Sequence, residues 1–342
     1  MKKYLYIALA AAALTGCSSD EAIEMVEKKA IAFDNVFVNN ATRATDLNKD
    51  NMEDFSVYGS VTANNTQGMI FTNTKVYKLE GATKFQYDNI QYWIASAKYE
   101  FTAIAPFQEG EGATWTYAPT DTDAKNGTIT FNNETAKADQ DLLFAYNSPN
   151  MTADEIKTQP AAVAFDFYHM LSRVQFTFVN AIPATSNIEL KVSEVKITDA
   201  YAKGTLAVTE GVVATDWTVT NDENSFEIAF SNTDAKIPGA ATNVTNSQTT
   251  AHHYMIPADK TYNVTFKVQL FQAGADLGTY ERTASVALDM TKGFSYNVKA
   301  NLTTDNVLPN ALYPIEFTIN KVEEWVDYTD VKANAPYAPA NN

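Results

Sequence analysis

Apolar and polar residues alternate with a period of two along most of the chain, which is typical of β-strands with one buried face. The clearest alternation runs over residues 264–270. Shorter alternating segments occupy residues 31–38, 55–61, 99–105, 129–131, 174–178, 188–192, 195–197, 226–230, 286–288 and 315–319. Turn residues separate these segments, and no long stripe of helical period interrupts them. The pattern predicts an all-β fold of the sandwich type.

Two local motifs add detail to this pattern. Asn126-Gly127 lies between two alternating segments, and because Asn-Gly is a favoured hairpin connection we expect a turn there. Thr152 precedes Glu155 by three residues, which is the spacing of a capping box and predicts a short helix.

The length of 342 residues suggests about two domains. Residues 147–160 are polar and contain two prolines, and a new apolar run opens at Val163. We therefore expect a boundary near Pro160, with one β-sandwich over residues 44–160 and a second over residues 161–342.

The first 16 residues have the organisation of a secretory signal, in which two lysines precede an apolar run and small residues. The run is shorter than the ~20 residues of a membrane-spanning helix. It ends in Leu14-Thr15-Gly16-Cys17, which resembles a bacterial lipobox. Signal peptidase II would cut between Gly16 and Cys17, and the Cys17 thiol would carry the lipid. Two or three acyl chains, palmitate among them, would then hold the protein firmly, because each buried CH₂ contributes ~0.8 kcal/mol.

Composition narrows the possible functions. The chain is 45% hydrophobic and 12% aromatic, which is enough to form real cores and excludes wholesale disorder. Its formal net charge of −16 opposes binding to nucleic acid, whose affinity comes mainly from cations that meet phosphates. Cys17 is the only cysteine, so no disulfide and no Cys-rich metal or redox centre can form within the chain. We expect no cofactor apart from the covalent lipid on Cys17, and no metal.

The three histidines do not form a recognisable site. His252 and His253 are adjacent, so on a strand they would point to opposite faces and would not bind one metal. His169 precedes Ser172 by three residues, but this segment lacks the flanking glycines of a nucleophile elbow. Structural or surface roles are expected for all three.

The carboxylates likewise indicate no active site. Residues 121–132 begin like a calcium loop, but Lys125, Asn126 and Asn132 stand where that loop requires a ligand, a glycine and a glutamate. Asp139-Gln140-Asp141 is expected to be a solvated turn. With no catalytic residue predicted, the chain is interpreted as a protein that is not an enzyme.

A series of segments, taken in order, carries a family resemblance. They are residues 92–93, 99–103, 105–106, 141–145, 167–176, 254–257 and 293–298, and a late strand that ends near Trp325. The segment FYHMLSRVQF, residues 167–176, is the most specific. Ser18-Ser19-Asp20-Glu21 is in turn similar to the acidic export signal of Bacteroidales surface lipoproteins. With the lipobox, the series resembles the fimbrillin family of Bacteroidales, which supplies the subunits of type V pili.

The resemblance implies a fold and a maturation route. The fold would be two transthyretin-like Greek-key β-sandwiches in tandem. A lipidated precursor would reach the surface of the outer membrane, and an arginine-specific or trypsin-like protease would remove its N-terminal strand. A strand from another fimbrial subunit would then fill the vacancy, and the resulting fimbria would support adhesion.

The sequence offers residues for each step of this route. Residues 17–43 would be the lipidated tether and removable strand, whose inward positions are Ile31, Phe33, Val36 and Val38.

Arg43 is the only arginine before Arg173, and it lies in a polar linker of the kind that proteases cut. We therefore expect cleavage between Arg43 and Ala44. A donor strand is expected in the C-terminal tail around Val326, Tyr328 and Val331, although Pro336 and Pro339 interrupt that tail.

Strand removal would expose sheet edges, which invite an added strand. Two other functions stay open at this point. The protein could be a monomeric surface lipoprotein that binds glycan or host protein. It could also be an enzyme acting on polysaccharide, which would need two carboxylates ~5–9.5 Å apart in a cleft.

Overall fold

The computed structural model describes residues 29–38, 47, 51–110, 112–132, 140–149, 152–158, 160–219, 226–231, 234–308 and 313–324. Strands dominate these residues, which confirms the predicted all-β fold class. The strands are β1 (Phe33–Val38), β2 (Asp54–Ala63), β3 (Thr66–Lys78), β4 (Phe85–Tyr87), β5 (Lys98–Ala105), β6 (Trp115–Thr120), β7 (Asp123–Asn132), β8 (Leu143–Asn147), β9 (Val163–His169), β10 (Ser172–Asn180), β11 (Ile188–Ala200), β12 (Lys203–Thr209), β13 (Val212–Val213), β14 (Thr218–Val219), β15 (Phe226–Phe230), β16 (Ser247–Thr249), β17 (His253–Met255), β18 (Asp259–Gln272), β19 (Ala275–Asp289), β20 (Phe294–Leu302) and β21 (Phe317–Glu324). The short helices are α1 (Ala153–Thr158), α2 (Thr304–Val307) and a 3-10 turn, Ala184–Ser186.

The first pair of sheets consists of a seven-stranded sheet and a smaller partner. The large sheet has the order β1-β9-β8-β5-β2-β3-β4, and the smaller sheet has the order β13-β12-β7-β6, with β14 added to β12. Tyr58, Ile104 and Phe144 of the large sheet share one hydrophobic core with Ile129 and Leu206 of the smaller one. Alternation along each strand therefore buries one face between the two sheets, as a sandwich requires.

The other face of the large sheet carries a second core, rich in aromatic side chains, which we call the aromatic core. Phe33 on β1 lies 5.4 Å, centroid to centroid, from both Phe71 on β3 and Tyr87 on β4. Because β1 and β4 are the two ends of the strand order, these contacts require the sheet to curl until its ends approach each other. The curl encloses the aromatic core within a single sheet.

The second pair of sheets encloses a third core. One sheet has the order β16-β10-β20-β21, with β17 also paired to β10, and the other has the order β15-β11-β18-β19. Phe176 and Phe178 of the first sheet pack with Phe266 of the second. β10 and β20 run parallel. The two alternating segments predicted at 188–197 form one strand, β11, whose register shifts near Glu194.

Strand pairing does not divide the chain at residue 160. β9 follows this residue but pairs with β8 and β1, and β12 pairs with β7. The chain passes to the second pair of sheets between β9 and β10, and returns to the first pair over β12–β14. A run of alternating residues specifies a strand and its buried face, but not the sheet that the strand joins. The Greek-key topology implied by the resemblance stays a prediction.

The two local motifs have different outcomes. The predicted turn at Asn126-Gly127 is wrong, because both residues lie inside β7 and the connection to β6 falls at Asp121, whose φ is 52°. Gly127 instead permits a close approach, since a Cβ there would lie 2.5 Å from the carbonyl oxygen of Ala118. The capped helix is confirmed: the Glu155 carboxylate accepts from the Thr152 backbone N–H at 2.7 Å, at the start of α1.

A strand that closes the curled sheet is the candidate functional site

Residues 29–38 fill the gap between the two ends of the curled sheet. On one side β1 pairs in parallel with β9, and the Val163 N–H donates to the Ala32 carbonyl at 2.8 Å. On the other side the Ile31 N–H donates to the Gln91 carbonyl at 2.8 Å, and the Trp93 N–H donates to the Lys29 carbonyl at 2.9 Å. This one segment therefore satisfies backbone groups on two otherwise separate edges.

The inward side chains of the segment complete the aromatic core. Ile31 is 1% exposed, Phe33 2% and Val36 9%. Beyond Phe71 and Tyr87, the Phe33 ring contacts the rings of Phe101 and Phe165 at centroid distances of 5.8 and 5.9 Å. Burial of such a side chain contributes about 1.5–3 kcal/mol, so these three side chains supply a substantial share of the stability of this core.

Val36, three residues after Phe33, is a further inward position. The register between β1 and β9 shifts between Phe33 and Val36. The extra residue is a β-bulge, which changes the face presented by the positions that follow it. The inward pattern of the segment is therefore i, i+2, i+5.

Buried tyrosines and a tryptophan stabilise the side of the aromatic core that lies across the segment 29–38 from β9. The Tyr87 hydroxyl donates to the Ile31 carbonyl at 2.7 Å, and the Tyr99 hydroxyl accepts from the Ile94 N–H at 2.6 Å. Trp93 packs edge-on against Tyr99 at a centroid distance of 4.6 Å. Burial raises the pKa of Tyr87 and Tyr99, with hydrogen bonds to the backbone acting in the opposite direction. Both hydroxyls therefore stay neutral at physiological pH and keep these bonds.

Several predicted site residues lie outside the described residues. These are Gly16, Cys17, Arg43, Ala44, Val326, Tyr328 and Val331. Val38 ends β1, and its side chain lies outside the described part. Lipidation at Cys17 and cleavage after Arg43 accordingly stay predictions.

The histidines and carboxylates show one pairing that sequence reasoning missed. The His169 Nδ1 lies 2.8 Å from the Asp141 Oδ2, and both side chains are at least 98% buried. Ser172 is not the partner of His169, because its hydroxyl donates to the Thr291 carbonyl at 2.6 Å. Asp141 is buried and not in a solvated turn, and it also accepts from the Leu142 N–H at 2.8 Å. The pair joins residues 28 positions apart, and only the pairing of β8 with β9 brings them together.

The remaining candidates occupy structural positions. His253 is buried against Phe230 at a centroid distance of 5.5 Å, whereas the His252 Nε2 lies 3.4 Å from the Ser295 hydroxyl. Asp123 accepts from the backbone N–H of Lys125 at 3.1 Å. In the part of the chain that the structure describes, no three or more His, Cys, Asp or Glu residues are grouped so that they could hold a metal ion.

The fold resembles the solved structure of a fimbrial protein from a Bacteroides species. A fimbrial protein from Bacteroides vulgatus has a TM-score of 0.59 and 16% identity, over 87% of this chain and 100% of that one. Candidate cell adhesion proteins from Bacteroides uniformis and Bacteroides ovatus both have a TM-score of 0.49, with 16% and 17% identity, over 88% of this chain and 99% of theirs. No curated protein matches the chain significantly in sequence.

Sequence models identify the class more directly. Residues 1–18 match a prokaryotic membrane lipoprotein lipid attachment site. Residues 42–321 match the fimbrillin-like family, so the chain belongs to that family. This membership gives the protein a fimbrial or adhesion role, and not an enzymatic one. The lipid attachment site in addition indicates a membrane-anchored surface subunit. None of the helices in the described part of the chain is long and apolar enough to cross a membrane.

Proposed function

We propose that the protein is a fimbrial subunit that polymerises by strand exchange after a protease removes residues up to Arg43. The observation that carries this proposal is the position of residues 29–38. They pair with β9 at one end of the curled sheet and with residues 91–93, which follow β4, and they bury Ile31, Phe33 and Val36 in the aromatic core. A segment with this role leaves a groove lined by apolar side chains and two unpaired edges when it departs, and such edges recruit another strand.

The order of features along the chain suits this maturation. Cys17 precedes β1 and Arg43 follows it, so one cut after Arg43 separates both the lipid and the strand from the body of the protein. The precursor would be held at the outer membrane by the lipid on Cys17, and a trypsin-like or arginine-specific protease would release it. The body that begins at Ala44 would be competent to polymerise.

The C-terminal tail of another subunit has the pattern that the groove requires. In the segment 29–38 the inward residues Ile31, Phe33 and Val36 have the spacing i, i+2, i+5. In the tail Val326, Tyr328 and Val331 have the same spacing. We infer that Val326 takes the place of Ile31 and Tyr328 that of Phe33. Pro336 and Pro339 lie beyond this stretch, so they do not remove any of its backbone donors.

Limited proteolysis of the full precursor tests the proposal. Low-dose trypsin should give a product that begins at Ala44 and then forms a ladder of oligomers on gels and by size-exclusion chromatography. Arg43→Gln is the matched control, which should stay intact at this position and monomeric. Tyr328→Asp should be cleaved normally but should not polymerise, because a charge would have to be buried among aromatic rings.

The opposite outcome would favour the second candidate function. If the cleaved fragment with residues 29–38 stays bound to the body and the protein stays monomeric, a surface lipoprotein that binds glycan or host protein as a single unit is favoured. In that case the seven-stranded sheet with β1 in place would be the functional form.

A further inference from the structure

Three large apolar side chains form an exposed stripe beside the strand-exchange site. Ile90, Tyr92 and Ile94 are 48%, 46% and 48% exposed. They alternate in sequence with Gln91, whose carbonyl accepts from the Ile31 N–H, and with Trp93, which is buried in the aromatic core. Single exposed apolar residues are ordinary, but an aligned group of them marks an interaction surface.

The stripe lies on backbone that is already paired with the removable segment. Ala30 and Tyr92 form an antiparallel bridge, so their side chains lie directly across from each other. Directly opposed residues have Cβ atoms about 4.5–5.5 Å apart, and their side chains project from the same face. In the precursor the residue across from Tyr92 is therefore an alanine, whose methyl group can cover little of the stripe.

The register inferred for the donor tail changes this position. If Val326 takes the place of Ile31, Trp325 takes the place of Ala30, across from Tyr92. Asp327 then falls at the position of Ala32, which is exposed, so its charge stays in water. A tryptophan at that point can lie along Ile90, Tyr92 and Ile94 and remove them from solvent.

We propose that the stripe Ile90–Tyr92–Ile94 is a docking site for Trp325 of a second copy of this chain. This inference rests on the proposed strand exchange. The incoming strand fills the same groove as the segment 29–38 and in addition covers the stripe, which that segment cannot do with Ala30. The added contact makes the donor bind more tightly than the strand that it replaces, and so gives exchange a direction after cleavage.

The test measures binding of a fluorescein-labelled peptide, residues 321–334, to the body that begins at Ala44. This body carries Tyr328→Asp, so it does not polymerise and its groove stays vacant once the excised fragment has been separated. Fluorescence anisotropy gives the dissociation constant. Trp325→Ala in the peptide should weaken binding about tenfold or more, because an aromatic pair adds to the burial of apolar area. The same substitution should have little effect on a body that carries Tyr92→Ala, since the two residues act through one contact.

Two controls separate this inference from strand exchange itself. Val244→Ala removes an apolar residue that is 43% exposed in a loop of the second pair of sheets, and it should leave peptide binding unchanged. Tyr328→Asp in the peptide should abolish binding through the groove. If Trp325→Ala binds like the wild-type peptide while Tyr328→Asp fails, the docking site is overturned and strand exchange stands. If the wild-type peptide does not bind, both proposals are overturned.

Discussion

At the scale of single residues, Phe33 carries the largest share of the contacts that hold the removable segment. Its ring meets four other rings, from β3, β4, β5 and β9, at centroid distances between 5.4 and 5.9 Å. These rings come from nearly every part of the curled sheet, so this one side chain ties the two ends of the sheet together.

Phe33→Ala in the precursor is expected to lower the free energy of unfolding of the first pair of sheets by ~3–5 kcal/mol, because it leaves a cavity among rings that cannot collapse fully. Tryptophan fluorescence during urea unfolding is a suitable measurement, since Trp93, Trp115 and Trp217 all lie in the cores of this pair.

Ala32→Ser is the matched control for that change. Ala32 is exposed on the same segment, so its substitution should change stability by no more than about 0.5 kcal/mol. Equal unfolding curves for the two variants would show that β1 contributes little to the precursor, and would remove the energetic basis for a vacancy after its loss.

The Asp141–His169 pair is a second feature of residue scale. It lies where β9 ends and the chain crosses to the second pair of sheets. The Met170 N–H donates to the Leu142 carbonyl and the Trp217 Nε1–H donates to the Met170 carbonyl, both at 2.8 Å. Buried polar groups of this kind are costly unless they are paired. We interpret the pair as part of the joint that fixes the crossing, and not as a catalytic dyad.

At the scale of elements, β1 differs from the other strands of the large sheet. It lies at the end of the strand order and pairs with β9 in parallel over only a few residues, with a shift inside that run. β2, by contrast, pairs with both β3 and β5 over most of its length. Because β1 is an end strand, its departure leaves the pairing of β2 with β3 and β5 intact.

Removal of the fragment that contains β1 should have a local effect on hydrogen exchange. The amides of Val163 and Trp93, which donate to the Ala32 and Lys29 carbonyls, should exchange faster after cleavage at Arg43, because their acceptors are lost. Amides in the middle of β18, which is paired on both sides with β11 and β19, should keep their protection. The measurement is hydrogen–deuterium exchange with mass spectrometry, before and after trypsin. Uniform deprotection of both sheet pairs would contradict a local vacancy and indicate general unfolding.

At the scale of the whole molecule, the two pairs of sheets are linked by hydrogen bonds as well as by the chain that crosses between them. Besides the passage from β9 to β10, the Lys292 ammonium of the second pair donates to the carbonyls of Ala214 and Thr215 at 2.8 and 2.9 Å. The Gly293 N–H donates to the Leu171 carbonyl at 2.8 Å. These bonds tie the segment before β20 to the first pair, and β20 in turn pairs with β21, after which the proposed donor begins.

Membrane attachment is also a property of the whole molecule, and it depends on Cys17. Cys17→Ala should abolish incorporation of labelled palmitate and shift the precursor from the membrane fraction to the soluble fraction, because no other thiol can accept the lipid. Ser18→Ala should retain the label. Unchanged acyl labelling of Cys17→Ala would contradict the assignment of Cys17 as the lipid-bearing residue.

The amino-acid sequence by itself determined the all-β class and several of the strands with their buried faces, whereas β3 and β12 have no predicted counterpart. Residues 264–270 are an example, since their alternation is the alternation of buried and partly buried positions in β18. It also determined the family, through motifs such as residues 167–176 and the lipobox. The alternation and the motifs are local signals, because each depends only on residues that are neighbours in the sequence.

Only the tertiary structure decided which strands pair with each other. It placed β9 and β12 with strands that precede residue 160, brought His169 to Asp141, and put Phe33 among rings from the far end of its own sheet. The bulge that makes Val36 an inward residue likewise arises from the register with β9. The alternation along a strand determines which face each side chain occupies. The neighbour of that strand, by contrast, is a segment tens of residues away, and no local pattern specifies the order of strands in the sheet.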